Sequence, residues 1–129
     1  MSVAVDTTLS LRCLTSGVPD AGATDYARNQ LVIGNSVLPS NGNAVYNAVP
    51  LSPTIYSTFS GNRLEALITT GTAATPFTIN SDFYGLVNVS INTMQKTNAR
   101  RAVNGAKSGV QLFVSATTFS GQYILQPIA

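Results

Sequence analysis

Histidine and tryptophan are absent from this 129-residue sequence, and Cys13 is its single cysteine. Without histidine the chain lacks the usual general base at neutral pH, and it has no Ser-His-Asp or Cys-His arrangement. One cysteine without histidine supplies too few ligands for a zinc site, and it rules out a disulfide within the chain. The sequence therefore predicts neither a nucleophilic hydrolase of these types nor a zinc enzyme.

Other patterns typical of enzymes are missing as well. None of the 10 glycines falls into a nucleotide-binding motif. Nothing pairs two carboxylates for glycosidase chemistry, which needs them to face one another. Asp20 and Asp25 flank a glycine-containing loop of the kind that binds calcium, but their spacing matches no EF-hand, so solvated turn aspartates are the preferred interpretation. We expect a non-enzymatic protein without a cofactor or a metal.

Charge is scarce. Lys, Arg, Asp and Glu make up 9% of the residues, against about 25% in an ordinary soluble domain. A surface of neutral Asn, Ser and Thr suits contact with other proteins, because few charges have to be desolvated on assembly. A neutral-surfaced monomer, such as a secreted adhesion module, is the alternative. The length fits one domain over residues 1–129.

Leader and membrane signals are not visible either. Met1 is followed by neither a basic nor an apolar leader region, and no apolar run approaches the ~18 residues that a spanning helix needs. We therefore expect synthesis in the cytoplasm and no membrane partner.

Apolar and polar residues alternate along much of the chain, which is the period of a strand with one buried face. Val3–Cys13 predicts a long strand that pairs within the domain or reaches to a neighbouring subunit, with Cys13 as a small buried hydrophobe. Phe83–Thr93 alternates from Val87 and is predicted to be the central strand. Met94–Ala106 is predicted to be either the one short helix or an irregular loop.

Clusters of Gly, Pro, Asn and Asp separate further short strands about every ten residues. The loops are predicted at Ser16–Asp25 and at Pro39–Asn43, with a turn at Asn41-Gly42. The remaining predicted strands are Asn29–Ile33, Val45–Val49, Thr54–Phe59, Leu64–Thr70, Phe77–Ile79, Val110–Ala116 and Gln122–Gln126. The third and fourth of these are expected to form a hairpin. About eight short strands at this spacing predict an all-β, single-domain antiparallel β-sandwich or barrel.

A basic cluster follows the predicted central strand; it consists of Lys96, Arg100, Arg101 and Lys107. No acidic residue follows Asp82, so residues 83–129 carry +4 whereas residues 1–82 carry −2. Such polarity orients a protein on an anionic partner. An acidic protein surface is preferred over nucleic acid, because no aromatic residue is interleaved with the cations to stack on bases. A solvated loop is the remaining interpretation.

Three features set the overall pattern of the chain: the long N-terminal strand Val3–Cys13, the loops Ser16–Asp25 and Pro39–Asn43, and a terminal strand ending near Ile128. Together they resemble the cement or decoration proteins that coat tailed-phage heads. That resemblance implies a jelly-roll or related β-fold, dimers or trimers at capsid symmetry axes, and stabilisation of the shell. The length is also similar to that of single-stranded RNA phage coat proteins. Those end in a helical segment and carry a basic sheet surface, and this sequence has neither pattern.

We therefore expect a homo-oligomeric structural protein of a bacteriophage virion, made in the host cytoplasm, that binds the major capsid protein through Lys96, Arg100, Arg101 and Lys107. One alternative is a shell-forming coat protein whose 96–107 segment contacts the genome. The other is a fibre-tip or lectin-like binding module that uses tyrosines and loop asparagines. The tyrosines are Tyr26, Tyr46, Tyr56, Tyr84 and Tyr123.

Overall fold

The computed structural model describes residues 1–34, 40–58, 61–88, 91–114 and 118–128, and within these ranges it contains strands and no helix. The all-β prediction is confirmed, with more strands than expected. They are β1 (Ser2–Val3), β2 (Leu9–Thr15), β3 (Val18–Pro19), β4 (Tyr26–Ile33), β5 (Ser40–Tyr46), β6 (Val49–Pro50), β7 (Arg63–Thr69), β8 (Pro76–Asn88), β9 (Ile91–Asn104), β10 (Gly109–Val114) and β11 (Phe119–Ser120). None of the described segments is a helix of the length and apolarity needed to cross a membrane.

The strands form three antiparallel sheets. The five-stranded sheet has the order β5-β4-β9-β8-β7. The four-stranded sheet has the order β10-β2-β3, and β6 also pairs with β2. A short two-stranded ladder joins β1 to β11. The predicted antiparallel β-sandwich is confirmed, whereas a jelly-roll connectivity stays a prediction.

The main hydrophobic core joins side chains of the four-stranded and the five-stranded sheets. Its buried members are Leu11, Cys13, Tyr26, Val49, Leu51, Phe77, Ile79 and Ala99. A smaller cluster, composed of Val3, Leu9, Ile55 and Phe83, continues the core towards β1. Each fully buried side chain of this size stabilises the fold by about 1.5–3 kcal/mol, so burial of these two clusters is what holds the sheets together.

The N-terminal stretch follows its predicted alternation with one exception. Leu9, Leu11 and Cys13 point into the core and are almost completely buried, which confirms the predicted position of Cys13. Val5 belongs to the same predicted face but is exposed, because the chain bends between β1 and β2. The stretch therefore forms two strands within the domain, and β2 lies inside the four-stranded sheet.

The predicted helix or loop at Met94–Ala106 is wrong, because most of this segment lies in β9. The inward-facing positions of the strand are Thr93, Gln95, Thr97, Ala99 and Arg101, all buried. Four of these five are polar, so the alternation is regular in space but invisible to a search for apolar residues. The carbonyl oxygen of Pro50 accepts hydrogen bonds from Gln95 Nε2 at 3.1 Å and Thr97 Oγ1 at 3.3 Å, which compensates part of the cost of burying polar groups.

The predicted central strand Phe83–Thr93 is not one strand. β8 ends at Asn88, β9 begins at Ile91, and these two residues are antiparallel partners. The stretch therefore combines the end of one strand with the start of the next, while Val89 and Ser90 lie outside the described residues. A period of two continues through such a hairpin, so alternation alone does not locate the reversal.

The predicted strands elsewhere agree in part. β4, β7, β8 and β10 contain the cores of the predictions at Asn29–Ile33, Leu64–Thr70, Phe77–Ile79 and Val110–Ala116, although Ala116 lies outside the described residues. The predicted Ser16–Asp25 loop is also found, except that it contains the two-residue strand β3. In these segments the alternation of apolar and polar residues and the flanking turn residues lie close together in the sequence. A local sequence pattern is therefore sufficient to predict them.

Four other predictions are wrong. Val45–Val49 is not one strand, because β5 ends at Tyr46 and β6 begins at Val49. The predicted turn at Asn41-Gly42 lies within β5, while Pro39 is outside the described residues. In place of a Thr54–Phe59 strand the described residues contain one bridge, between Ile55 and Thr7, so β7 pairs with β8 instead. Gln122–Gln126 is not in a strand. Whether each of these segments forms a strand depends on which distant segment it pairs with. A local sequence pattern does not contain the identity of that partner.

Candidate assembly surface

The four cations of the basic cluster do not lie together. Arg100 and Arg101 are neighbours on β9, and a strand directs adjacent side chains to opposite faces. Lys96 and Arg100 are exposed on the outer face of the five-stranded sheet, opposite the core. Arg101 is buried on the inner face, and Lys107 follows β9 in the connection to β10. The predicted partner-binding residues therefore divide into an outer pair and an inner pair.

The inner pair neutralises two aspartates of the loop at residues 16–25. Lys107 Nζ lies 3.0 Å from Asp20 Oδ2, and Arg101 Nη1 lies 2.8 Å from Asp25 Oδ1. Arg101 Nε is a further 3.4 Å from Asp20 Oδ2. The side chains of Arg101 and Lys107 are only 9% and 8% exposed, so solvent screens these ion pairs little. We call this group of four residues the loop-anchoring network.

Neutral donors complete the environment of Asp20. Its Oδ2 atom accepts hydrogen bonds from Cys13 Sγ at 3.2 Å and from Thr15 Oγ1 at 3.0 Å. Burial acts to raise the pKa of Asp20, but hydrogen bonds, chiefly from Lys107, and the charge of Arg101 outweigh it and lower the pKa below 3.8. Asp20 is therefore an ionised structural carboxylate.

The buried Tyr26 hydroxyl links the network to the core. It donates to the carbonyl oxygen of Asp20 at 2.9 Å and accepts the amide hydrogen of Cys13 at 2.9 Å. Burial is the main cause that raises the pKa of both the Tyr26 hydroxyl and the Cys13 thiol. The network thus fastens the 16–25 loop to the edge of the core, and its cations and carboxylates pair with one another. Arg101 Nε makes no hydrogen bond within the described residues.

The aspartates considered for calcium lie in this network. Asp25 Oδ2 accepts the Gly22 amide at 2.7 Å, while its other oxygen contacts Arg101. Within the described ranges no group of three or more His, Cys, Asp or Glu side chains is arranged to hold a metal ion. Both carboxylates have protein donors where calcium would need open oxygen ligands.

The outer face of the five-stranded sheet is almost neutral. Asn29, Asn98 and Asn80 lie side by side on β4, β9 and β8, and Asn98 donates a hydrogen bond to Asn80. In the adjacent row Lys96 Nζ lies 2.8 Å from Asp82 Oδ1, with the two side chains 52% and 35% exposed. Arg63 and Glu65 on β7 form a further exposed pair. The paired charges leave this face with little net potential.

A groove of about 690 Å³ crosses the middle of this outer face. Residues of β4, β7, β8 and β9 line it, together with Ile128 near the C-terminal end. Leu31 and Leu67 contribute apolar surface, and the asparagine row contributes amides. The groove is open rather than enclosed, and three titratable side chains line it: Glu65, Asp82 and Lys96. Glu65 and Asp82 are cross-strand partners, and Asp82 forms an ion pair with Lys96.

The sheet edges differ in how well they are protected against strand addition. β7 carries Arg63 and Glu65 in its sequence, while β3 and β6 contain Pro19 and Pro50. Charges and prolines on an edge discourage another strand from pairing there. β5, the other edge of the five-stranded sheet, reads Ser-Asn-Gly-Asn-Ala-Val-Tyr and carries neither protection. β10, at the edge of the four-stranded sheet, reads Gly-Val-Gln-Leu-Phe-Val and likewise carries neither. Its other side has no strand partner among the described residues.

Apolar side chains cluster in the exposed segment 121–128, which we call the C-terminal tail. Tyr123, Ile124, Leu125 and Ile128 are 82%, 84%, 78% and 78% exposed. No strand pairs with the tail in the part of the chain that the structure describes. No Lys, Arg, Asp or Glu occurs after Lys107, so β10, β11 and the tail belong to one uncharged section of the sequence.

Sequence patterns did not identify the tail as a surface feature, because they assigned the same residues to a final strand. The absence of Lys, Arg, Asp and Glu from residues 108–129 was the signal in the sequence that set this section apart. The tyrosines divide similarly: Tyr26 belongs to the core, whereas Tyr84 and Tyr123 are exposed.

Comparisons with protein-family models, with curated proteins and with solved structures found no match.

Proposed function

We propose that this protein is a non-enzymatic structural subunit of a virus particle, a capsid cement or decoration protein that self-associates and stabilises the head shell. The observation that carries the proposal is the uncharged section from β10 to the tail, with its unprotected strand edge and its exposed apolar side chains. An isolated soluble domain rarely leaves such a surface uncovered, whereas an assembling subunit covers it with protein.

The magnitude of tail burial supports self-association through more than one contact. Removing four large apolar side chains from water contributes about 1.5–3 kcal/mol each. Association of two proteins costs about 4–15 kcal/mol in lost freedom. Burial of the tail alone is therefore close to balanced by this cost, and a stable oligomer needs additional contacts such as backbone hydrogen bonds along an edge.

The charges of the 96–107 segment favour a protein partner over a genome. Lys107 and Arg101 are held by Asp20 and Asp25, and Lys96 is paired with Asp82. Binding to nucleic acid derives its strength from cations that neutralise phosphates. The exposed Arg100 alone supplies little of that, so a cement protein bound to the major capsid protein is the preferred role over a coat protein contacting the genome.

The solution mass tests this proposal first. Size-exclusion chromatography with light scattering, together with the 260/280 nm absorbance ratio, should give a discrete dimer or trimer without nucleic acid. Mixing that oligomer with capsids and sedimenting them should then carry the protein into the pellet. A megadalton particle rich in nucleic acid would support a coat protein instead. An oligomer that binds glycans and leaves capsids untouched would support the binding module.

The variant that tests the outer cations follows from the geometry. Arg101→Glu would place a carboxylate against Asp20 and Asp25 and destabilise the domain, so it does not report on partner binding. Arg100→Glu changes an exposed side chain on the outer face. We expect Arg100→Glu to weaken capsid binding while the melting temperature stays near that of the wild type. Unchanged binding would remove Arg100 from the contact.

A further inference from the structure

We infer that the C-terminal tail of one copy adds as a strand to the free edge of β10 in a second copy. This inference rests on the proposed self-association and names the contact that produces it. The donor is the segment Gln122–Gln126, and the acceptor is Gly109–Val114. Strand addition of this kind uses main-chain hydrogen bonds for affinity and alternate side-chain contacts for specificity.

The direction of the chain places the tail away from its own β10. β10 pairs with β2 from Gly109 opposite Leu14 to Val114 opposite Leu9. Farther along, Phe119 and Ser120 of β11 pair with Val3 and Ser2 of β1. Gly121 then lies against Met1, and Ile128 at the far end of the tail lines the outer groove of the five-stranded sheet. β10 of the same copy belongs to the opposite sheet, so the tail as it lies here does not meet the β10 edge of its own copy and is available to the β10 edge of another copy.

The β10 edge leaves an apolar side chain of the core-facing side exposed to solvent. Leu112 is the partner of the buried Leu11 on β2, yet it remains 40% exposed at the edge. On the same face, Val110 and Val114 pack against the two core clusters. An added strand would extend this face by one position and cover Leu112.

The donor has the composition and the length of an edge strand. Tyr123 and Leu125 share one face of an extended segment, and Ile124 lies on the other. Tyrosine and isoleucine favour strands. Pro127 lacks an amide hydrogen and would end the pairing after Gln126. Neither the donor nor the acceptor carries a charge, so their contact desolvates none.

A cysteine pair formed between two copies tests the contact directly. Leu112→Cys is mixed with Leu125→Cys and, separately, with Tyr123→Cys, because residues 123 and 125 share one face of the added strand. Each mixture is oxidised, and peptide mass spectrometry identifies the disulfide. We expect a disulfide between copies that joins residue 112 to residue 123 or to residue 125. Gln111→Cys mixed with Ile124→Cys tests the opposite face of the same pairing in case Leu112→Cys impairs folding. The buried Cys13 is present in every sample, and the wild type measures its background.

Leu67→Cys mixed with Leu125→Cys is the matched control, because Leu67 is similarly exposed but lines the outer groove beside Ile128. A disulfide between residues 67 and 125, in the absence of any disulfide to residue 111 or 112 of β10, would overturn the inference and place the tail in the groove. An oligomer that gives none of these disulfides would also overturn it, while leaving the proposed function standing. A monomer at all concentrations would overturn both.

Backbone pairing is tested separately by proline in the tail. Alternate residues of an added strand donate their amides to the edge, so at least one of Ile124→Pro and Leu125→Pro should abolish the oligomer. Ile124→Val keeps the amide and the strand preference, and it should retain the oligomer. If both proline variants assemble like the wild type, main-chain pairing of the tail is refuted.

Discussion

Replacement of Asp20 by asparagine is the sharpest test of the loop-anchoring network. Asp20 is 14% exposed, and its Oδ2 atom accepts from Lys107, Cys13 and Thr15. The asparagine side chain has nearly the same shape as the aspartate but lacks the negative charge that the buried Lys107 and Arg101 face. The cationic partners would therefore lose their compensation without a change in packing volume.

The expected cost follows from what remains after the substitution. Removing one partner of a buried ion pair typically costs about 3–5 kcal/mol. Arg101 keeps Asp25 at 2.8 Å, and Lys107 keeps Thr15 Oγ1 at 2.9 Å, so part of the compensation survives. We therefore expect a loss of about 2–3 kcal/mol in the free energy of unfolding. For a chain of this length that corresponds to a fall of about 10 °C in Tm.

The stability of Asp20→Asn should also respond differently to acid. Hydrogen bonds and Arg101 lower the Asp20 pKa in the folded protein below 3.8, despite the opposing effect of burial. A carboxyl with a lowered pKa contributes stability fully above its unfolded-state value, and that contribution is lost as the pH falls through the folded-state pKa. The difference between wild type and variant should therefore be constant near neutral pH and shrink below about pH 3.8.

Urea denaturation and thermal melting, each followed by circular dichroism across this pH range, measure both effects. Asp82→Asn is the matched control, because it breaks an ion pair of similar length between exposed side chains. Exposed pairs contribute far less than buried ones, so its Tm should change much less. Equal losses for the two variants, or no loss for Asp20→Asn, would refute the argument from burial.

Three further outcomes are expected. The Cys13 thiol should not react with a thiol reagent such as DTNB until the protein unfolds, because it is buried and its pKa is raised chiefly by burial; rapid reaction of the native protein would contradict this. Gly71→Ala should destabilise the fold more than Gly61→Ala, since both have positive φ but a Cβ at Gly71 would lie 2.5 Å from the Gly105 carbonyl oxygen, whereas that at Gly61 meets nothing within 4 Å; equal Tm values would show that the contact relaxes. Phe77→Ala should cost about 3–5 kcal/mol in a urea titration, and a loss below about 1 kcal/mol would place Phe77 outside the packed core.

Local alternation was sufficient for part of the fold. The all-β class, the buried face of Leu9, Leu11 and Cys13, and the β7 and β10 strands all follow from patterns within a few residues. These patterns are visible because one face of each segment is apolar or is bounded by turn residues. The low charge of the chain is also a property of composition alone, and the protein-contacting surface inferred from it stays a prediction.

The strand β9 marks where local reasoning fails. Its inward positions Gln95, Thr97 and Arg101 are polar, and they are buried because Pro50, Asp25 and neighbouring groups satisfy them across the fold. Nothing local to residues 94–106 contains those partners. Analysis of the sequence alone therefore predicts that a polar residue faces solvent. In the folded protein a distant hydrogen-bond partner makes its burial possible.

Charge shows the same division. The sequence alone determined that residues 83–129 are net positive and that residues 108–129 are uncharged, because net charge is a sum over the charged residues of a segment. Only the tertiary structure decided that Arg101 and Lys107 neutralise Asp20 and Asp25, while Arg100 remains on the outer face. The physical reason is that a strand sends adjacent side chains to opposite faces, and pairing between distant strands decides what each face meets.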